Sequence, residues 1–285
     1  MTDELVHALA FDDNVRILTL TSTTLVTDAA RIHDTGPTAT AALGRLLSGT
    51  IMMAATQKDL ARLTVHIQGN GPAGRLLARA AADGSVYGTI GDPHAEHPFD
   101  ADGRVQVGGI VGDRGMVQVV RDPGFGEPYV GNTELQSGEI GDDLAHYLMS
   151  SEQVQSAFGV GVKLSPDGVV SAGGFLIQLL GGLSEEQTRV LSERLGALSI
   201  LSSHIEAGAT ARDLLTSIAQ DVRVLETRHP RYFCPHDRDY YRVRLLSLGQ
   251  STVDDLFAGD EQIEVRCEFT RKVYRFQRSE IRYDS

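Results

Sequence analysis

Two cysteines and a histidine carry the strongest chemical signal in this 285-residue sequence. Cys234 and His236 stand in the run Cys234-Pro235-His236, and Cys267 opens Cys267-Glu268-Phe269-Thr270. Thiolate and imidazole are both good zinc ligands, and a metal held from two loops would fasten a segment too small to be secure on its own core. The spacing leaves a second reading open, in which the same side chains are simply buried as hydrophobes. Other runs carry less. Gly69-Asn70-Gly71-Pro72-Ala73-Gly74 has the glycine spacing of a dinucleotide loop. Only eight residues separate Gly74 from the Asp83-Gly84 turn, too few for a crossover helix, and Pro72 fits a hairpin better. His94 and His97 lie in the polar, proline-flanked run HAEHP, where solvent exposure is the expectation. No G-x-S-x-G elbow, H-E-x-x-H pair or Walker-type lysine occurs, so no catalytic residues are assigned and no enzyme is expected.

The elements that must position these residues follow from hydrophobic period and turn chemistry. Residues 3 to 22 read as two strands joined at Asp12-Asp13-Asn14. Thr23 to His33 and Pro37 to Thr56 read as helices, the second opening on proline and rich in small residues that suit close packing. From Arg62 to Val120 come short β-type runs broken by Asn-Gly, Asp-Gly and Asp-Pro signals, which predict a largely antiparallel sheet. A helix is expected from near Ser137, then two strands about Asp167-Gly168 that end in the apolar run AGGFLIQLL. Ser184 to Gln187 and Thr210 to Asp213 are capping boxes that open two further helices. Their apolar stripes either pack permanently on the sheet or detach and expose themselves. From Arg231 onward the chain holds 5 of its 8 tyrosines and 4 of its 9 phenylalanines, which predicts a separate small core there.

The expected fold is therefore α+β: a mixed, largely antiparallel sheet core with packed helices over residues 1–178, a helical linker over 179–230, and a small C-terminal module over 231–285. With 41% hydrophobic and 22% charged residues the composition is that of a globular protein, and no run approaches the length of a membrane span. The first residues, MTDELVHALAFDDN, carry acids where a signal peptide would carry positive charge, so a cytoplasmic location is expected. A net charge of -12 disfavours nucleic acid and anionic membranes as partners. The acidic excess lies wholly before Arg223. Two cysteines in a reducing compartment point to metal binding, redox sensing or burial rather than to a disulfide framework.

Nearly the whole chain resembles the 33 kDa chaperonin family, the bacterial redox-regulated heat-shock holdases. The resemblance is carried by DELVHALAFDDNVRIL at 3–18, HDTGPTATAALGRLL at 33–47, LTVHIQGNGPAG at 63–74, EPYVGNTELQSGEIGDDLAHYLMSSEQ at 127–153 and SAGGFLIQLL at 171–180. It implies an ATP-independent chaperone that binds unfolding client proteins under heat or oxidative stress, with a substrate-binding core, a linker that unfolds on activation, and a homodimeric active form. It also implies a zinc-binding C-terminal domain with four cysteine ligands, a C-x-C pair and a downstream C-x-x-C pair, each pair closing into a disulfide when an oxidant expels the metal.

This chain departs from that pattern at both pairs, with His236 and Thr270 where the family has its second and fourth cysteines. Neither local disulfide can form, so the family's redox switch is altered or lost. The tail then either binds zinc through Cys234, His236 and Cys267, with Asp237, Glu268 or water as the fourth ligand, or binds no metal and folds on its aromatic residues. Two thiolates sharing one tetrahedral metal would lie about 3.8 Å apart, near enough for a Cys234–Cys267 bridge after metal loss. The competing reading is a metal-dependent enzyme or zinc-ribbon interaction module built on the same core.

Overall fold

The computed structural model describes residues 2–57, 60–197, 204–205 and 207–281. Its first hairpin pairs β1 (Glu4–Ala10) with β2 (Val15–Thr21), and β2 is buried along its whole length except at Arg16. Phe11, Asp12 and Asp13 turn the corner with left-handed backbones, a region that aspartate visits more readily than most residues. The hairpin lies inside a five-stranded antiparallel sheet of order β10-β1-β2-β9-β8, in which β8 is Ser156–Ser165, β9 is Gly168–Leu179 and β10 is Val222–Arg228.

A second sheet has the order β11-β5-β4-β3-β6-β7. Its strands are β3 (Arg62–Gly69), β4 (Arg75–Ala80), β5 (Ser85–Ile90), β6 (Gly115–Asp122), β7 (Tyr129–Glu134) and β11 (Arg231–Tyr232). Only the short β11–β5 pair is parallel. This is the α+β architecture, with largely antiparallel sheets, that the sequence pattern predicts.

Helix α1 (Thr23–His33) and helix α2 (Pro37–Ala55) fill the space between the sheets, and α2 is buried from Thr38 to Ala55 except at Arg45. Two small residues make its packing feasible. A Cβ at Gly44 would come within 2.7 Å of Val26, and one at Gly49 within 2.4 Å of Leu144. Around α2 gathers the main core, including Leu20, Leu43, Leu47, Ile51, Val65, Leu76 and Val119.

The Gly69–Gly74 run is the turn of the β3–β4 hairpin, as its proline predicts. Gly71 and Ala73 donate their amides to Val111 and Ile110 of the short helix α3 (Gly108–Val111), at 2.9 Å each. A Cβ at Gly71 would lie 2.2 Å from the Ile110 carbonyl oxygen. The glycines thus admit a neighbouring backbone, and the groups that would cradle a phosphate are already used. His94 and His97 are both exposed, as expected of that loop.

Helix α4 (Gly141–Ser150) begins a few residues later than the sequence predicts. The fully buried Asp143 carboxylate explains the delay. It accepts backbone amides from Gln136, Ser137, Gly138 and Ile140 at 2.7, 3.0, 3.4 and 2.9 Å, folding residues 136–140 into a loop in front of the helix.

The other face of the five-stranded sheet is covered by the segment that follows β9. Helices α5 (Glu185–Ala197) and α6 (Ala211–Ile218) open on the two capping boxes. Ala211, Leu214, Leu215 and Ile218 pack in one cluster with Val6, Ala8, Ala10, Val15, Ile17 and Ile177. Within the segment read as a helical linker, residues 222–228 form strand β10 instead, paired along β1. Its valine-rich, largely exposed run suits an edge strand better than a packed helix.

At the β1–β10 seam His7 stands opposite Glu226, beside Arg16 and Arg228, with a register irregularity after it. Burial, then the two arginines, lower its pKa to about 4 against the opposing pull of Glu226. Folded His7 therefore stays neutral to about pH 4, whereas the unfolded chain takes up the proton near pH 6.5. Its contribution to stability is complete above that range and is lost as pH falls from about 6.5 to 4. We expect it to amount to about 1–2 kcal/mol once solvent screening of a partly exposed ring is allowed for. Urea unfolding at pH 7 and pH 4.5 should show a smaller acid loss in His7→Gln than in the parent; equal losses would assign the effect elsewhere.

The chain divides into two compact units between Tyr232 and Phe233. Tyr232 closes the first. Its hydroxyl donates to the Gly88 carbonyl at 2.8 Å and meets Nε2 of buried His33 at 2.9 Å. Since the hydroxyl proton goes to Gly88, Nε2–H is the donor in the second bond. Tyr232→Phe is expected to cost about 1–2 kcal/mol in chemical unfolding by leaving both partners short of a bond. The second unit holds α7 (Arg238–Leu246), α8 (Gln250–Phe257) and the hairpin β12 (Gln262–Arg266) and β13 (Val273–Gln277). Leu245, Val253, Phe257, Phe276 and Ile281 form its core.

Candidate metal centre

Cys234 and His236 precede α7, and the turn Asp237 N–H to Pro235 carbonyl, 3.0 Å, sets their spacing. Asp237 is the helix cap, its side chain accepting the Tyr240 amide at 2.8 Å, which commits this carboxylate to α7. Cys267 lies at the end of β12, where its amide donates to the Lys272 carbonyl and its carbonyl accepts the Arg271 amide, both at 2.9 Å. The turn closes through Arg271, whose φ of 57° is left-handed.

These two turns bring the ligand atoms of Cys234, His236 and Cys267 within 4.8 Å of one another. Cys267 and His236 are buried and Cys234 is half-buried. Among the described residues the group at that distance consists of these three side chains. The structure thus brings together the three residues that the sequence pattern singles out.

The surroundings favour charge on sulfur. Cys267 has its pKa lowered to about 4, first by a hydrogen bond from the Cys234 thiol, then, against burial, by the hydroxyls of Thr270 and Tyr241 and the Phe269 amide. Thr270 therefore faces the site as a donor to the thiolate. Burial, and then its bond to Cys267, push the Tyr241 phenol well above the usual range. The His236 ring stacks on Tyr240 with centroids 4.0 Å apart and meets Phe269 edge-on at 5.4 Å, while Tyr274 donates to the His236 carbonyl at 3.0 Å. In sequence, Tyr241, Tyr274 and Phe233 belong to the aromatic-rich tail from Arg231 that predicts a small core. For the two tyrosines, their choice over phenylalanine is the one signal of a polar task. Phe233 is exposed and outside that core.

Two sulfurs and an imidazole nitrogen are a donor set for a soft or borderline divalent cation. Zinc bonds of about 2.0–2.3 Å in a tetrahedral arrangement need donors about 3.5–3.8 Å apart, so the group would have to close by no more than about 1 Å on binding. The residues present fit such an ion with three ligands.

A family model described as Hsp33 protein matches residues 3–277. The chain belongs to the Hsp33 family. Among Hsp33 relatives, the 33 kDa chaperonin of Bacillus pumilus is 38% identical over 281 residues, covering 98% of this chain and 97% of its own. That of Bacillus cereus is 38% identical over 284 residues, covering 99% and 98%. The crystal structure of the 33 kDa chaperonin of Thermotoga maritima superposes with a TM-score of 0.89 at 31% identity, covering 99% of this chain and 97% of that one. Hsp33 membership extends over both units, including the module that holds Cys234, His236 and Cys267. Among the described residues no helix is long and apolar enough to cross a membrane.

Proposed function

We propose that this Hsp33-family chain is an ATP-independent holdase that captures unfolding proteins, with residues 1–178 as its substrate-binding core, 179–230 as a releasable cover and 231–285 as a switch module. Chaperone function follows from family membership. The observation that carries the finer reading is the apolar face of the five-stranded sheet, Val6, Ala8, Val15, Ile17 and Ile177, which is packed against the stripe of α6. When that segment lifts, stripe and sheet face are both available to a client by apolar burial alone. The cover is lightly held at α5, where Leu191 is buried while the helix surface carries Arg189 paired with Glu186 and Glu193. No part of this capture needs a catalytic residue or a nucleotide.

Zinc bound by Cys234, His236 and Cys267 would clamp the turn before α7 to the turn after β12. The aromatic core beside it supports the same fold without metal, so heat is the trigger this architecture favours. A homodimeric active form rests on the family resemblance. The acidic net charge supports protein clients over nucleic acid or anionic membranes, and a pair of reduced thiols supports a cytoplasmic setting. Light scattering of a heat-denatured client without ATP tests the proposal. The expected result is suppressed aggregation once the chain has itself been warmed, and failure at every temperature and oxidant level would remove the holdase reading.

A further inference from the structure

We infer that oxidation fastens the C-terminal module of this chain instead of opening it, through one disulfide between Cys234 and Cys267. This inference deepens the holdase reading above and rests on it only for its biological meaning. The carrying observation is where the two sulfurs sit. They belong to different turns, one before α7 and one after β12, and they already lie within 4.8 Å and share a hydrogen bond. A bond between them closes a loop that contains α7, α8 and β12, and hence Leu245, Val253 and Phe257 of the module core.

Geometry decides the sign of the effect. A disulfide within a single turn leaves the two turns free to separate, whereas a bridge between them holds together the pair that a metal would hold. Closing a loop of this length restricts the unfolded chain far more than the folded one. Neither sulfur is a member of the Leu245–Ile281 core cluster, so drawing them together removes no packing from it. Cys234 is half-buried and gives an oxidant access, while Cys267 is fully buried behind it and serves as the resolving partner.

With a peroxide as oxidant the step balances. The shared proton passes from Cys234 to Cys267, and the Cys234 thiolate attacks one peroxide oxygen; the O–O bond breaks and hydroxide leaves, giving a sulfenic acid. The Cys267 sulfur then attacks the Cys234 sulfur, the S–S bond forms, the S–O bond breaks, and the departing hydroxide takes the Cys267 proton as water. The two sulfurs together give up two electrons, peroxide takes them, and the pair that began with one shared proton releases one water and one hydroxide.

The test uses full-length protein, chelator-stripped and zinc-reconstituted, each treated with hydrogen peroxide. Non-reducing peptide mapping should recover the Cys234 and Cys267 peptides joined within one chain, reversibly by dithiothreitol. Hydrogen exchange of α8 and β13 in the bridged form should be about tenfold or more slower than in the reduced, metal-free chain. Sulfinic or sulfonic acids in place of the bridge, disulfides between chains, or faster exchange once bridged would each overturn the inference. The mapping needs no variant, so a misfolded substitution cannot blur it. Client aggregation measured on the same samples separates the two readings: a closed, bridged module with no holding activity under any condition removes the holdase and leaves the bridge, and over-oxidised sulfurs with activity intact do the reverse.

Discussion

Asp143→Ala is expected to destabilise the first unit by about 3–4 kcal/mol, the largest loss we expect from any single substitution in the core. The carboxylate is fully buried and holds four amides of residues 136–140. The Gly138 and Ile140 amides would be left in the interior without an acceptor, and bonds to a charged acceptor are worth about twice neutral ones. The loop it shapes includes Ile140 at φ 68°, a strained conformation for a β-branched residue that persists only while its surroundings impose it. The same loop presents Glu139 to the Gly108 amide at 2.8 Å and to Arg45 of α2. Losing Asp143 therefore loosens α2, α3 and α4 together. Urea unfolding followed by far-ultraviolet circular dichroism measures the loss, with Asp143→Asn falling between parent and alanine. A loss under about 1 kcal/mol would show that water replaces the carboxylate without penalty.

Zinc is expected to bind at one per chain and, at a free concentration about a thousand times its Kd, to stabilise the second unit by about 4 kcal/mol. Cys267→Ser and His236→Ala should each abolish that gain while the metal-free unit stays folded on Phe257 and Phe276. Bound zinc should be released on acidification, because protons compete for thiolate and imidazole. Elemental analysis of protein purified without chelator, together with cobalt(II) absorption, checks stoichiometry and sulfur ligation. Less than about a tenth of an equivalent, with no cobalt–thiolate band, would assign the module to its aromatic core alone.

Much of this was legible in the residues. Thr23–His33 is a helix over the predicted span because its period and its break before Gly36-Pro37 agree, and the Gly69–Gly74 run is a hairpin because Pro72 and the short spacing exclude a crossover. The three site residues converge although Cys234 and Cys267 are far apart in sequence; their types suggested a shared metal, with simple burial left open, and the resemblance pointed the same way. What stayed hidden is of one kind. Asp143 falls inside the helix expected from near Ser137, and nothing local reveals that it instead collects amides from a loop in front of a later start. Tyr241 reads as core until a thiolate is placed beside its hydroxyl. Strand β10 reads as part of a helical arm, since an edge strand with one partner and most of its side chains in solvent lacks the alternation that marks a buried one. For Tyr241 and β10 the deciding partner is distant in sequence, and for Asp143 it is a loop whose shape no local pattern announces.

That edge position has a consequence of its own. Departure of β10 would strip β1 of its only neighbour on that side, leaving the seven-residue stretch Glu4–Ala10 with main-chain donors and acceptors open to water. Such a rim accepts any extended polypeptide by strand addition, whatever its side chains. Beside an uncovered apolar face, it would let one scaffold grip unfolded chains through the feature they all share, the peptide backbone.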